Sequence, residues 1–171
     1  MNEDNYQKLD ALLKEFYFKV NNSLDDYINA IEVHEIKANS YFETKYNLYK
    51  SNVIGFNSLF NKNFFKETIL LFYKDLLCAV FYKFKGNELD YFHNILLQFI
   101  PEEQVQNIVA SDRNSIVYKF TEELLIEVLY TENDTTGICV MNSIYREDQL
   151  KSIQEKEYEL MLIKNNISIT N

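Results

Sequence analysis

The sequence predicts an α+β fold: a mainly helical N-terminal two-thirds, then a three-stranded antiparallel β-meander and a C-terminal helix. Three observations predict it. Apolar residues recur at i, i+3 and i+4 through most of the first hundred positions, which is the spacing of one helix face. After Ser111-Asp112-Arg113-Asn114 the apolar period changes to two, the spacing of a strand. The 171 residues are 47% hydrophobic, with 13 Phe and 13 Tyr, so residues 1–171 are expected to form a single domain around an aromatic-rich core.

Tyr6, Leu9, Leu12, Leu13, Phe16, Tyr17 and Val20 place a first helix over 5–21, ended by Asn21-Asn22. Ser23 is a ready N-cap for a second helix, with Asp26 near its positive end. That helix begins with Leu24, Tyr27, Ile28 and Ile31. Ala38, Tyr41, Phe42, Lys45 and Tyr49 extend its face, although Phe42, Thr44, Tyr46 and Leu48 also alternate as a strand would. Interleaved Glu, Lys and Ala favour helix over hairpin for 33–50. Residues 51–63 contain Gly55 and several Asn, and read as a connection anchored by Val53, Ile54, Phe56, Leu59 and Phe60.

A central helix is expected over 64–85. Its apolar positions go almost all the way round, which marks a buried helix. Lys83 and Lys85 suit its negative end, and Gly86 suits the position just beyond. Asn87 caps the next helix, whose inner face is Leu89, Phe92, Leu96, Phe99 and Ile100. Pro101 opens a short helix, Glu102 to Val109. Strands follow at 115–120, 124–130 and 138–145. A turn at Glu132-Asn133-Asp134 and Gly137 separates the last two. Such short connections imply an antiparallel meander. Asp148 then opens a helix to about Lys164, with Leu150, Ile153, Tyr158 and Met161 facing in.

The placement of charge says more than its total of −9. Residues 1–100 hold 13 acids and 11 bases, whereas residues 101–160 hold 13 acids and 5 bases. The C-terminal part therefore carries the excess. Such a surface repels nucleic acid phosphates and anionic lipid, and it speeds encounter with basic proteins. Met1 to Asp10 is polar where a signal peptide would be basic and then apolar. The most apolar run, Ile69 to Phe84, is broken by Lys74 and Asp75, short of the roughly 20 apolar residues that span a bilayer. A cytoplasmic location is expected, with Cys78 and Cys139 as reduced core residues.

Local chemical motifs are scarce. Gly55, Gly86 and Gly137 are too far apart for a phosphate cradle. No H-E-x-x-H or G-x-S-x-G is present. His34 sits between Glu32 and Glu35. His93 shares a helix face with Asp90, the spacing of a base and its orienter or of a local ion pair. Arg113 and Arg146 flank the expected sheet, and two neighbouring arginines make a small anion site. The paired acids Asp25-Asp26, Glu102-Glu103, Glu122-Glu123 and Glu147-Asp148 fall at helix starts or in turns. No catalytic residue, cofactor or metal is expected from these patterns.

The expected function is therefore binding. Glu122, Glu123, Glu127, Glu132, Asp134, Glu147 and Asp148 are expected to face a basic partner protein, such as a toxin or nuclease. Small, acidic proteins without catalytic motifs include toxin-neutralising immunity proteins and phage inhibitors of host nucleases. That analogy of physical character makes a neutralising inhibitor the leading expectation. A secretion or assembly chaperone, and an enzyme with a dispersed site, are the alternatives.

Overall fold

A computed structural model describes residues 3–32, 45–51, 53, 57–63, 68–110, 113–131 and 133–154. The expected helical two-thirds is replaced by a sheet. Eight strands form one antiparallel sheet: β1 (Ile31–Glu32), β2 (Asn47–Ser51), β5 (Ile69–Tyr73), β6 (Leu76–Lys85), β7 (Val105–Ala110), β8 (Arg113–Lys119), β9 (Leu125–Thr131) and β10 (Thr135–Met141). Their order across the sheet is β1-β2-β5-β6-β10-β9-β8-β7. A separate two-residue hairpin, β3 (Ser58–Leu59) and β4 (Lys62–Asn63), stands where a plain connection was expected. Helices α1 (Glu3–Lys14) and α2 (Leu89–Leu96) accompany them, and residues 143–154 form α3.

The largest correction is the expected helix 64–85, whose described part is the β5–β6 hairpin. Lys74 and Asp75, which interrupt the apolar run, are its two-residue loop. Both have positive φ, at 49° and 65°, the conformation that matches strand twist in tight hairpins. Phe60 and Asn61 do the same for β3–β4, at 49° and 63°. An all-round apolar run suits a strand covered on both faces as well as it suits a buried helix. Both faces are covered here. Leu70, Phe72, Val80, Tyr82 and Phe84 join the main core with α1 and α2, while Leu71, Ala79 and Met141 pack with Tyr145 of α3.

A bulge sets this division. Leu71 pairs with Ala79 and Phe72 with Leu77, so Cys78 is the extra residue of β6. Leu77 and Val80 consequently share one core, and Cys78 and Ala79 the other. Beyond the end of β10, the segment Asn21–Leu24 continues the pairing. Asn21 N–H donates to the Leu77 carbonyl at 2.8 Å, and Leu77 N–H donates to that of Asn22 at 2.9 Å.

Other expectations shift less. The first helix stops at Lys14. Ser23 precedes a single 3-10 turn, Leu24–Tyr27, and its N–H donates to Asp26 Oδ2 at 2.9 Å. The strand alternative holds for 47–51, whereas 33–44 lie outside the described residues. The expected helix Glu102–Val109 is a 3-10 turn, Glu102–Gln104, leading into β7. The β8–β9–β10 meander is present. α3 begins at residue 143 rather than Asp148, so Tyr145 is helical and Leu150 faces solvent; Tyr158 and Met161 lie outside the described residues.

Candidate functional site

At the end of the sheet where β8 turns into β9, two clefts meet. The larger, of about 430 Å³, is lined by Phe99, Pro101, Gln104, Lys119, Phe120 and Glu122 among others. The chain leaving α2 supplies Phe99 and Pro101, and the end of β8 supplies Lys119. The turn between β8 and β9 is fixed by its own backbone. Phe120 and Thr121 N–H groups both donate to the Leu124 carbonyl, at 3.0 and 3.1 Å. Glu123 N–H donates to Thr121 Oγ1 at 3.2 Å. The smaller cleft, of about 270 Å³, has Leu9, Leu13, Phe16, Leu124 and Val140 in its walls, together with Lys19, Asn21, Asn22 and Glu123. Thr121 lines both.

Glu122 lines the larger cleft and Glu123 the smaller, while Glu102 and Glu103 lie in the chain between Pro101 and Gln104 of the larger cleft's wall. Glu102, Glu103, Glu122 and Glu123 are all exposed, and β7 to β8 pairing of Val105 with Tyr118 brings the 102–104 turn alongside residues 119–121. Lys119 offsets one of these charges, pairing with Glu122 at 2.7 Å. This arrangement suits a cation carried on an apolar stem, with ring faces for the stem and carboxylates for the head. Glu102 and Glu103, expected at a helix start, are exposed in the 3-10 turn between Pro101 and Gln104 of the cleft wall. Their proximity depends on strand pairing, which no local motif encodes.

The seven expected partner-binding acids do not form one surface. Glu122 and Glu123 project at the β8–β9 turn, whereas Asp134 is exposed in the β9–β10 turn at the opposite end of the sheet. Glu147 is exposed on α3. Glu132 lies outside the described residues. Asp148 is largely covered and engaged by Lys45 Nζ and by the Tyr46 hydroxyl, which donates to Oδ2 at 2.7 Å. Burial pushes the Asp148 carboxyl up, but the hydrogen bonds from Lys45 and Tyr46 outweigh it and hold the group below its ordinary range. Burial, reinforced by the bond to Asp148, drives the Tyr46 phenol well above its ordinary value.

Glu127 is the clearest departure: it is 0% exposed. It points to the face that α3 covers. Gln149 Nε2 donates to Glu127 Oε2 at 2.9 Å, Arg146 donates to Gln149 Oε1, and Arg146 Nη1 lies 4.0 Å from the same carboxylate oxygen. Arg146 is thus internal, 8% exposed. Arg113 starts β8 opposite Thr131, at the far end of the sheet from the junction of β10 and α3, so the two arginines do not share one end. Cys139 pairs across strands with Glu127, and burial, with that carboxylate adding, pushes its thiol well up. Burial also raises the Cys78 thiol. Both cysteines are buried and free.

His93 lies on α2, where its Nδ1 and the Tyr118 hydroxyl share a hydrogen bond of 2.7 Å, and it lines neither cleft. His34 lies outside the described residues. Among the described residues no three His, Cys, Asp or Glu side chains gather as metal donors. No helix there is long and apolar enough to cross a membrane.

No protein-family model matches the chain. No curated protein matches it. Among solved structures, the chain is similar to a GTP binding regulator from Thermotoga maritima, at 13% identity and a TM-score of 0.42, over 74% of this chain and 82% of that one.

Proposed function

We propose that this protein works by binding a basic partner protein, in the manner of a neutralising inhibitor, through the larger cleft at the β8–β9 turn. One observation carries the reading. A cleft of about 430 Å³ with Phe99, Pro101 and Phe120 in its walls is lined by Glu122, and the exposed Glu102, Glu103 and Glu123 are chain neighbours of its lining residues. Aromatic walls supply contact area at low entropic cost, and nearby carboxylates select cationic side chains. Of the acids expected from sequence, Glu122 and Glu123 keep this role, and Glu102 and Glu103 join them. The buried Glu127 and the paired Asp148 act inside the protein. A chain charge of −9 favours the encounter with a basic surface over a long range.

Co-purification from the native host tests the proposal. One stoichiometric basic protein is expected, with affinity falling as salt rises. Replacing Glu122 and Glu123 by Lys should weaken it roughly tenfold at low salt, equivalent to about 1.4 kcal/mol. A partner whose affinity ignores both salt and these substitutions would refute the reading.

A further inference from the structure

The sheet treats its two edges differently. At one edge, β1 is only two residues long and ends in the exposed Glu32. Shortness and charge are standard protections against unwanted strand pairing. The other edge, β7, has the six residues Val105-Gln106-Asn107-Ile108-Val109-Ala110 and neither protection. It contains no charge and no proline, and three of its six residues are β-branched. It pairs with β8 along its whole length and, among the described residues, ends the strand order. Gln106 and Asn107 are exposed. Half of the backbone groups of an outermost strand point away from its single neighbour.

This edge leads into the acidic cleft. β7 begins at Val105, immediately after Pro101 and Gln104 of the cleft wall and the acids Glu102 and Glu103. A strand added antiparallel to β7 would therefore finish at the cleft. We infer that the basic partner binds by strand addition: an extended segment pairs antiparallel with β7 and delivers cationic residues near its C-terminal end into the cleft beside Glu122. The inference rests on the acidic-cleft reading above and names how the partner engages it. Charge complementarity selects this occupant. A second copy of this chain brings another net charge of −9 to the same edge, whereas a basic segment is drawn to it. Backbone pairing supplies affinity, and the cleft supplies selectivity.

The test uses the full chain, isotope-labelled for NMR, and a synthetic peptide of alternating threonine and valine ending in two arginines. Three controls accompany it: the same peptide with alternate backbone amides methylated, the peptide ending in two glutamates, and the Glu122→Lys/Glu123→Lys protein. The arginine peptide is expected to slow amide exchange at positions 105–110 at least tenfold at saturation. Methylation should abolish this protection. The glutamate ending and the charge-reversed protein should each weaken binding about tenfold. Equal binding of the methylated peptide would overturn strand addition while leaving the acidic cleft standing. Equal binding of the glutamate peptide, with β7 protected, would overturn the basic partner while leaving the edge. Protection of β7 without peptide, together with a concentration-dependent dimer in sedimentation, would assign the edge to a second copy and overturn the inference. Absence of any protection at millimolar arginine peptide would overturn it as well. Because the methylated peptide leaves the protein untouched, no reading depends on a variant that fails to fold.

Discussion

Replacing Arg146 by Met should destabilise the fold by about 3 kcal/mol. The substitution keeps an unbranched apolar stem and removes the charge, leaving the fully buried Glu127 without its cationic neighbour. Two unit charges 4.0 Å apart attract by about 4 kcal/mol at an effective dielectric of ~20. Gln149 donates to Glu127 Oε2 at 2.9 Å in both proteins and so cancels, whereas relief of the burial of Arg146, itself 8% exposed, offsets about 1 kcal/mol. The remainder falls at the lower end of the roughly 3–5 kcal/mol seen when one partner of a buried pair is deleted. With a urea slope of about 2 kcal/mol per molar, the midpoint should fall by about 1.5 M at unchanged slope. Combining Arg146→Met with Glu127→Gln removes both charges and keeps an acceptor for Gln149, so most of the loss should return. A single variant that loses under about 1 kcal/mol, or a double variant no better than the single, would refute the assignment of Arg146 as the charge partner of Glu127.

Three further outcomes are expected. Asp148→Asn should cost about 0.5–1 kcal/mol at neutral pH, a modest value because Lys45 is 41% exposed. Asp148 has a folded pKa below its unfolded one, so its contribution is present above about pH 4 and is lost as pH falls through the folded value; the variant's urea midpoint should fall less steeply there, and an identical acid slope would contradict the pairing. Gly86→Ala should cost about 1–2 kcal/mol; a new Cβ meets nothing within 4 Å, so the cost is the φ of +85°, and a melting temperature unchanged to within a degree would show that the turn does not hold this conformation. Cys78 and Cys139 should resist a thiol reagent in the native protein and react in denaturant, as buried thiols with raised pKa do; native labelling at the unfolded rate would refute their burial.

Local signals in the sequence identify some elements correctly. The start of α2 is legible to within one residue: Glu88 rather than Asn87 is its N-cap, and Asn87 Oδ1 accepts from Leu89 N–H at 3.2 Å from one position earlier. The period-two run after residue 113 becomes β8, β9 and β10. Where one element is covered on both sides, the pattern loses its direction. Leu70 and Leu71 are both buried because helices lie on both faces of β5, so no alternation betrays the strand. The same second layer misplaces Glu127. Leu124, Ile126 and Val128 mark one side of β9 as core, which makes the intervening Glu127 look solvent-facing, but α3 covers it. Residues 105–110 follow a proline and two glutamates that favour a helix start, yet pairing with β8 overrides that local preference. Of the acids at the clefts, Glu122 and Glu123 are legible as turn acids. Their meeting with Pro101, Glu102 and Glu103 depends on contacts that only the assembled sheet creates.

The neighbour relation of β6 and β10 has a consequence for the nascent chain. β6 ends at Lys85, and the strand that closes its second side does not begin until Thr135. During synthesis at roughly 5–20 residues per second, the ten-residue β6, the longest strand of the sheet, waits for seconds with most of one side open. α2 and the β7–β9 hairpins must emerge before β10 can enter between β6 and β9. This pause exposes Leu-Leu-Cys-Ala-Val-Phe to other nascent chains. Any truncation before residue 135 leaves that edge open permanently, so C-terminally shortened chains are expected to be captured by holding chaperones or to aggregate rather than to persist as smaller folded units.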